Sequence, residues 1–433
     1  MSLPIKPQQA VSQANPQMPS LITPDENTLK ISQNEGVSQI KKGPLTTRPS
    51  YTESVENKFN IGMVIHSTRA SDRHISAVSK PASCCYLSFL VFLERPQENE
   101  EEVTRQWLKQ NNVSKDVEIR WGEEGLKQLF ESDVDALYLI VEAEFQRECV
   151  LRSLRARKHV LLNDPVSTSL ADFKEQQACA KENGKFVQFM TMFVHLFATR
   201  RFIDSILLSE GFGQIMNINC EVRINYYDAQ KVGAKLPLQK HHGIIRIMGR
   251  FCALVSALFF SRVGSFARSA KVISAIKNDD GVVISAKCVV KFTEDRILTF
   301  DVQYTNSSTR QLIDLEAETR TATMRDFIIE HPDRLATYRV YDKAPMLNGA
   351  LGIVSGEAID VAGGPPEEMM MWRRFAELSL SIDEQGGWDR TVNTAECREL
   401  ANVALQTKRI LIALMKSLEN SFEEVIIDDI DYQ

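Results

Sequence analysis

The chain has 433 residues, of which 43% are apolar and 25% are charged, as in ordinary globular proteins with room for two domains. Its net charge of −6 and its lack of an apolar run of roughly 18 residues exclude nucleic acid and the membrane as expected partners. The eight cysteines are scattered without a CxxC pair, which favours reduced thiols in a cytoplasmic protein and no metal site.

The first part of the chain, residues 1–58, is rich in Ser, Gln, Pro, Asn and Thr and has no sustained hydrophobic period. We interpret it as a disordered N-terminal leader, because such a composition buries too little apolar surface to order itself.

From Phe59 onward, apolar runs of strand length alternate with amphipathic stretches. Strands are predicted at 59–65, 84–93, 117–121, 136–141 and 160–162, and helices between them at 72–80, 101–110, 123–131 and around Cys149. A further helix at 171–182 ends at Gly184, and a short strand follows at 186–190. This alternation predicts a Rossmann-like, doubly wound parallel sheet over residues 59–190.

Beyond residue 190 the pattern changes to alternating strands with one polar face and only a few helices. Asn278 to Gly281 is a hairpin signal between two of these strands. Residues 337–367 are predicted to be irregular, and 368–382 to be helical. Asn393 and Glu396 resemble a capping box that opens a long last helix. Residues 191–433 therefore form a predicted α+β domain with a large, mostly antiparallel open sheet, and its last helix is expected to pack back on the first domain.

Several short motifs resemble those of Gfo/Idh/MocA oxidoreductases. Lys158-His159-Val160 and Pro165 match the family's "KHV" and the last letter of its "EKP". The segments 192–195, 211–215 and 326–329 are similar to its dihydrodiol and xylose dehydrogenase branch, the last as a strand. The resemblance implies hydride transfer with NAD or NADP, a small-molecule ligand in an interdomain cleft, and a homodimer formed through the C-terminal sheet.

The cofactor-binding residues implied by the resemblance depart from the family pattern. The turn after the first strand, residues 66–71, has no glycine, although Ser67, Thr68 and Arg69 can donate hydrogen bonds to an anion. Glu94 ends the second strand, where an acidic side chain binds a ribose hydroxyl and favours NAD over NADP; a plain surface carboxylate is the alternative. Two further cofactor-facing positions also differ from the family, Glu142 and Asn163.

The catalytic residues implied by the resemblance are Asp164, His241 and Lys240. Asp164 stands where the family has the lysine of "EKP", and a carboxylate is a poor proton donor at neutral pH. His241 aligns with the family's acid/base position, and His242 takes that place if the loop shifts by one residue.

Two functional hypotheses follow from these departures. The first is a catalytically degenerate protein, a pseudoenzyme with a binding, sensing or regulatory role, and the sequence favours it. The alternative is an active NAD(P)-dependent oxidoreductase that acts on a sugar, polyol or dihydrodiol.

Overall fold

The computed structural model describes residues 59–65, 72–78, 80–94, 100–141, 143–162, 169–189, 197–209, 211–225, 243–328, 336–342, 357–361, 367–384 and 386–428. The predicted leader lies outside these residues. The described chain forms two β-sheets, here named sheet A and sheet B.

Sheet A contains six strands among the residues described, and every pair of neighbours is parallel. In chain order they are β1 (Phe59–Ile65), β2 (Cys85–Phe92), β3 (Glu118–Trp121), β4 (Ala136–Ile140), β5 (His159–Leu162) and β6 (Val187–Phe189). They lie in the order β3-β2-β1-β4-β5-β6. The predicted Rossmann-like sheet is confirmed, and the burial of every residue of β4 and β5 explains why their sequences are continuous apolar runs.

The helices that connect these strands also lie close to their predicted positions. They are α1 (Asp72–Val78), a 3₁₀ turn (Pro81–Ser83), α2 (Glu100–Gln110), α3 (Gly122–Glu131), α4 (Ala143–Arg155) and α5 (Leu170–Asn183). As predicted, α5 ends at Gly184, which adopts the left-handed conformation with φ of 61°.

Sheet B is the large, mostly antiparallel sheet that the sequence predicts. Its strands are β7 (Ile215–Asn225), β8 (Ala267–Lys277), β9 (Val283–Phe292), β10 (Ile297–Thr305), β11 (Arg310–Ala317), β12 (Arg320–Arg325), β13 (Ala336–Asp342), β14 (Glu357–Val361) and β15 (Val425–Ile426). They lie in the order β14-β13-β12-β11-β7-β10-β9-β8-β15. In this part of the chain only β7 and β10 pair in parallel.

The helices that accompany sheet B follow in chain order. They are α6 (Phe197–Leu207), one π-helical turn (Ile245–Gly249), α7 (Arg250–Arg262), α8 (Glu367–Asp383), α9 (Gly387–Val392) and α10 (Ala395–Glu419). One of the few helices expected beyond residue 190, over the apolar stretch 244–260, thus contains a π-turn before α7, which hydrophobic periodicity does not reveal.

Three local predictions were wrong. The part of 337–367 that is described contains strands β13 and β14, because both complete a hydrogen-bonded ladder with β12. Residues 326–328 bend away from the sheet, and Asp326 has φ of 54°. The long helix α10 is capped by Thr394, whose hydroxyl accepts the Cys397 N–H, and not by Asn393.

Helix α8 covers one face of sheet A although it lies far along the chain. Trp372 packs edge-on against Tyr138 of β4 with ring centroids 5.0 Å apart, and Phe375 meets Phe59 of β1 in the same way at 6.1 Å. Both aromatic residues of the helix are fully buried. The C-terminal part of the chain thus supplies a layer of the first domain's core.

Helix α10 contacts the cores of both sheets. Ala404 belongs to the apolar cluster on the opposite face of sheet A, whereas the residues further along the helix pack under sheet B, among them Ile410, Leu411 and Leu414. Lys408, fully buried, places its ammonium 5.5 Å from the Phe173 ring of α5.

Candidate functional site

The strand order of sheet A reverses between β1 and β4. From β1 the chain builds outward to β2 and β3, and from β4 it builds outward on the other side to β5 and β6. The register pairs Ile65 at the end of β1 with Ile140 at the end of β4 and with Phe92 at the end of β2. In doubly wound sheets such a crevice, at the carboxyl ends beside the switch point, is where dinucleotides bind.

Gly62 lets β1 pack tightly against its neighbours just before this crevice. A Cβ atom at this position would lie 2.6 Å from Leu129 Cδ1 and 2.8 Å from Leu137 Cδ2. Both leucines belong to the core on one face of sheet A, so a larger residue would overlap their side chains unless those side chains or the strand shifted.

Glu94 is the one predicted site residue that lies within the described residues, and it is exposed two residues beyond the end of β2. The N–H of Leu93 donates to the carbonyl oxygen of Ile65 over 3.0 Å. This bond holds the end of β2 against the end of β1, so Glu94 follows directly after a residue that is bonded to the last residue of β1. The contact of Glu94 with a cofactor ribose stays a prediction.

The other predicted site residues lie outside the described residues: Ser67, Thr68, Arg69, Glu142, Asn163, Asp164, Lys240 and His241. The residues that flank the first six are nonetheless fixed. The three segments leave sheet A after Ile65, Ile140 and Leu162, which end neighbouring strands at one edge of the sheet. The three segments therefore start from the same edge of sheet A.

The segment with Lys240 and His241 enters helix α7 through Gly243. A Cβ atom on Gly243 would lie 2.0 Å from the carbonyl oxygen of Val283 in β9, so no other residue fits there without movement of the backbone. Further along, Arg250 lies within electrostatic range of Tyr138 in sheet A. Burial raises the pKa of the Tyr138 hydroxyl, the charge of Arg250 opposes this shift, and Glu368 adds to it. The start of α7 thus lies near sheet A.

The N-terminus of α5 is already occupied by the chain's own carboxylate. Ser169 Oγ accepts the N–H of Asp172 over 3.1 Å, and Asp172 Oδ2 accepts the N–H of Ser169 over 3.0 Å. Arg147 lies 3.2 Å from Asp172 and 2.7 Å from Glu175. An anionic ligand would therefore meet a carboxylate at this helix end.

A second polar cluster, unpredicted from the sequence, lies at the opposite end of sheet A. His159, at the start of β5, is fully buried and accepts the Phe186 N–H at Nδ1 over 3.0 Å. Its Nε2 therefore carries the proton and donates it to Asp383 Oδ2 over 3.0 Å. Lys185 Nζ also pairs with Asp383.

Burial is the largest effect on this histidine and lowers its pKa, and the nearby Lys185 ammonium acts in the same direction. The hydrogen bond to Asp383 opposes the shift but does not reverse it. His159 thus stays neutral and joins β5, β6 and the end of α8. In the sequence, the only feature that singled out His159 was its position in the "KHV" motif.

The described residues show neither a metal-binding cluster nor a membrane-spanning helix. They contain no group of three His, Cys, Asp or Glu side chains placed to hold a metal ion. In the same part of the chain, no helix is both long and apolar enough to cross a membrane.

Comparison with known proteins supports the family resemblance. Residues 59–191 match the Gfo/Idh/MocA family model, described as an oxidoreductase family with an NAD-binding Rossmann fold. A dTDP-3,4-didehydro-2,6-dideoxy-alpha-D-glucose 3-reductase from Actinomadura kijaniata is 37% identical over 89 residues, 20% of this chain and 26% of that enzyme. A 1,5-anhydro-D-fructose reductase from Ensifer adhaerens is 42% identical over 52 residues, 12% of this chain and 16% of that enzyme. The matched segments thus span about a quarter or less of these relatives.

Solved structures agree over a larger part of the chain. KijD10, a 3-ketoreductase from Actinomadura kijaniata crystallised with NADP and TDP-benzene, superimposes with a TM-score of 0.62 at 17% identity. The alignment covers 83% of this chain and 98% of KijD10. An oxidoreductase from Pseudomonas syringae gives a TM-score of 0.65 at 10% identity, over 86% of this chain and 99% of that one. These likenesses establish the two-sheet fold.

Proposed function

We propose that this chain, which has the fold of the Gfo/Idh/MocA oxidoreductases, is an active NAD(P)-dependent oxidoreductase that reduces a carbonyl group of a sugar. The observation that carries the proposal is the crevice at the β1–β4 switch point, with Glu94 beside the end of β1. The two reductases with local sequence identity act on keto sugars, which supports a sugar over a polyol or a dihydrodiol as substrate.

The residues at the crevice suit NAD(H). When bound, the nicotinamide would supply the hydride. Glu94 would accept hydrogen bonds from a ribose hydroxyl, and its negative charge would repel the 2′-phosphate that distinguishes NADP. We therefore propose NAD(H) as the preferred cofactor, although KijD10 was crystallised with NADP. Ser67, Thr68 and Arg69 would donate to the phosphates from the turn after β1.

The proton would come from the segment that leads into α7. A protonated His241 would donate its imidazole N–H to the carbonyl oxygen of the sugar, since histidine changes its charge near neutral pH. Lys240 would stabilise the negative charge that develops on that oxygen. Asp164 would accept a hydrogen bond from a substrate hydroxyl and orient the imidazole, a role that suits a carboxylate better than proton donation does.

The test combines binding with turnover. The purified protein is titrated with NADH and with NADPH by fluorescence, and a panel of keto sugars is then screened by loss of reduced-nicotinamide absorbance. Saturable NADH binding together with turnover of one sugar is the expected result. Absence of any binding at millimolar NADH and NADPH would refute the proposal.

The two neighbouring histidines provide a matched pair of variants. We expect His241→Ala to lower kcat by about 100-fold or more, because a general acid contributes on that scale, and His242→Ala to leave kcat within about twofold. The opposite result would shift the acid to His242. If both substitutions lowered kcat only slightly and by the same factor, neither histidine would be the proton donor.

A second candidate function is a binding or sensing protein without turnover. Two sequence observations favour it: the glycine-free turn at residues 66–71, and Asp164 in place of the family's lysine. In that case NADH would bind without turnover, or would bind only after the double substitution His66→Gly and Thr68→Gly. Turnover by the unaltered chain would exclude this candidate.

The remaining proposals concern organisation. We place the domain division at residues 59–190 and 191–433, and the homodimer contact on the outer face of sheet B; a monomer mass by light scattering would refute the dimer. All eight cysteines are free, which suits the reducing cytoplasm.

A further inference from the structure

A cavity of about 440 Å³ lies beside β6, the outermost strand of sheet A. Its walls come from β6, α5, α9 and the first turns of α10. Two strands separate β6 from β1, so this cavity is distinct from the crevice at the β1–β4 switch point. Its volume lies within the range of roughly 300–1,000 Å³ that small-molecule sites occupy.

Gln188, at the centre of β6, lines this cavity and is 3% exposed. Neither its amide oxygen nor its amide nitrogen has a hydrogen-bond partner among the residues described. The register pairs Gln188 with Leu161, so its side chain leaves the sheet on the face where Cys397 and Trp388 pack. A buried carboxamide left unpaired costs about 1–3 kcal/mol. Both amide atoms are themselves buried, so a ligand with a donor and an acceptor would pair them once a side chain of the cavity wall moves aside.

The cavity also has an aromatic wall and a positive rim. Trp388 is half-buried in the wall. Lys181 and Arg398 are exposed on the rim, and among the residues described neither forms an ion pair. Among the lining residues that the structure describes, Asp389 is the single acidic one, so these residues carry a net positive charge. The lining thus offers three kinds of contact to a ligand. The amide can hydrogen-bond a polar edge, the indole ring can stack on a flat group, and the two cations can bind an anion.

We propose that this cavity binds an adenine nucleoside monophosphate, separately from the cofactor crevice. A glutamine amide matches the adjacent donor and acceptor on the N6/N7 edge of adenine, where its oxygen accepts from N6–H and its nitrogen donates to N7. The indole of Trp388 offers a surface for stacking of the base. Lys181 and Arg398 would hold the phosphate by charge-assisted hydrogen bonds. Guanine presents two acceptors on the same edge, so it would leave the Gln188 oxygen unpaired.

The experiment titrates the full chain with AMP, adenosine and GMP by isothermal calorimetry. We expect saturable AMP binding, with GMP at least about tenfold weaker because one of the two hydrogen bonds is lost. Gln188→Leu should weaken AMP binding by about tenfold or more for the same reason. Gln176→Leu is the matched control, because Gln176 is equally buried and unpartnered in the described chain but does not line the cavity, and it should leave AMP binding unchanged.

A second variant separates loss of binding from loss of folding. Lys181→Ala with Arg398→Ala changes two exposed side chains and should weaken AMP while leaving adenosine binding unchanged. No AMP binding at millimolar concentration, equal affinities for AMP and GMP, or full AMP binding by Gln188→Leu would each overturn the proposal. The last outcome would assign AMP to the cofactor crevice, and it would leave the proposed oxidoreductase activity intact.

Discussion

His159 Nε2 lies 3.0 Å from Asp383 Oδ2, although 224 positions separate the two residues in the sequence. The contact joins the start of β5 to the end of α8. This hydrogen bond helps to attach the C-terminal part of the chain to sheet A. The stability of sheet A therefore depends on a carboxylate that belongs to helix α8.

Asp383→Ala should therefore destabilise the protein by about 1–3 kcal/mol, because it leaves the buried Nε2–H of His159 without its acceptor. Urea unfolding followed by fluorescence measures the difference in the free energy of unfolding. Glu182→Ala, which removes an exposed helical carboxylate near the end of α5, should cost less than about 0.5 kcal/mol. Equal losses in the two variants would contradict a role for the His159–Asp383 hydrogen bond.

The same histidine should make stability fall in mild acid. Its pKa is lowered from 6.5 in the folded protein, so below that pH the unfolded chain binds a proton that the folded protein does not. The free energy of unfolding should fall by up to about 1.4 kcal/mol for each pH unit below 6.5, until the folded-state pKa is reached. Urea unfolding of wild type at about pH 7.5 and about pH 5.5 measures this loss.

His159→Gln provides the comparison, because an amide can accept from Phe186 and donate to Asp383 without titrating. The contribution of the other histidines is common to both proteins and cancels in the difference. An equal acid-induced loss in wild type and His159→Gln would contradict the prediction.

Glu94 should decide between the two nicotinamide cofactors. Glu94→Arg should weaken NADH binding by about tenfold and strengthen NADPH binding, because it replaces a ribose acceptor by a cation that attracts a 2′-phosphate. The ratio of the two dissociation constants is the measurement. Glu102→Arg makes the same charge change on exposed α2 and should leave the ratio unchanged. A similar shift in both variants would mean a long-range charge effect instead of a contact.

Gly62→Ala should destabilise the protein by about 1–3 kcal/mol, because the added methyl group overlaps Leu129 and Leu137. A second substitution, Leu129→Ala, removes one of the two side chains that the methyl group of Ala at position 62 would overlap. The cost of the double variant should be smaller than the sum of the two single costs, which thermal or urea unfolding can establish. Additive costs would show that the backbone of β1 moves instead.

The strand pattern of sheet A could be predicted from the sequence because the signal is local. Residues 136–140 are all apolar and all buried, and Gly184 ends α5 as its backbone freedom allows. Sheet B was equally visible through its alternating strands up to β11. The family motifs predicted the order of these elements only by resemblance, and the family match supports that prediction over residues 59–191.

Other features depend on contacts between distant segments, and no local pattern reports them. Strands β13 and β14 form on the edge that β12 provides, within a stretch rich in glycine and proline. The neutral state of His159 follows from its burial, to which the Lys185 ammonium adds and which the hydrogen bond to Asp383 opposes, and both residues come from other parts of the chain. Of the candidate site, Glu94 was predicted to lie at the end of β2 and does, whereas the cavity at Gln188 left no recognisable motif.

The layer that α8 adds to sheet A has a consequence for biosynthesis. Trp372 and Phe375 leave the ribosome more than two hundred residues after β4, so a nascent chain that already contains all of sheet A still exposes Phe59 and Tyr138. During that interval the nascent chain exposes an apolar surface that is prone to aggregation and is of the kind that chaperones recognise. The core of sheet A is therefore complete only when translation has almost finished.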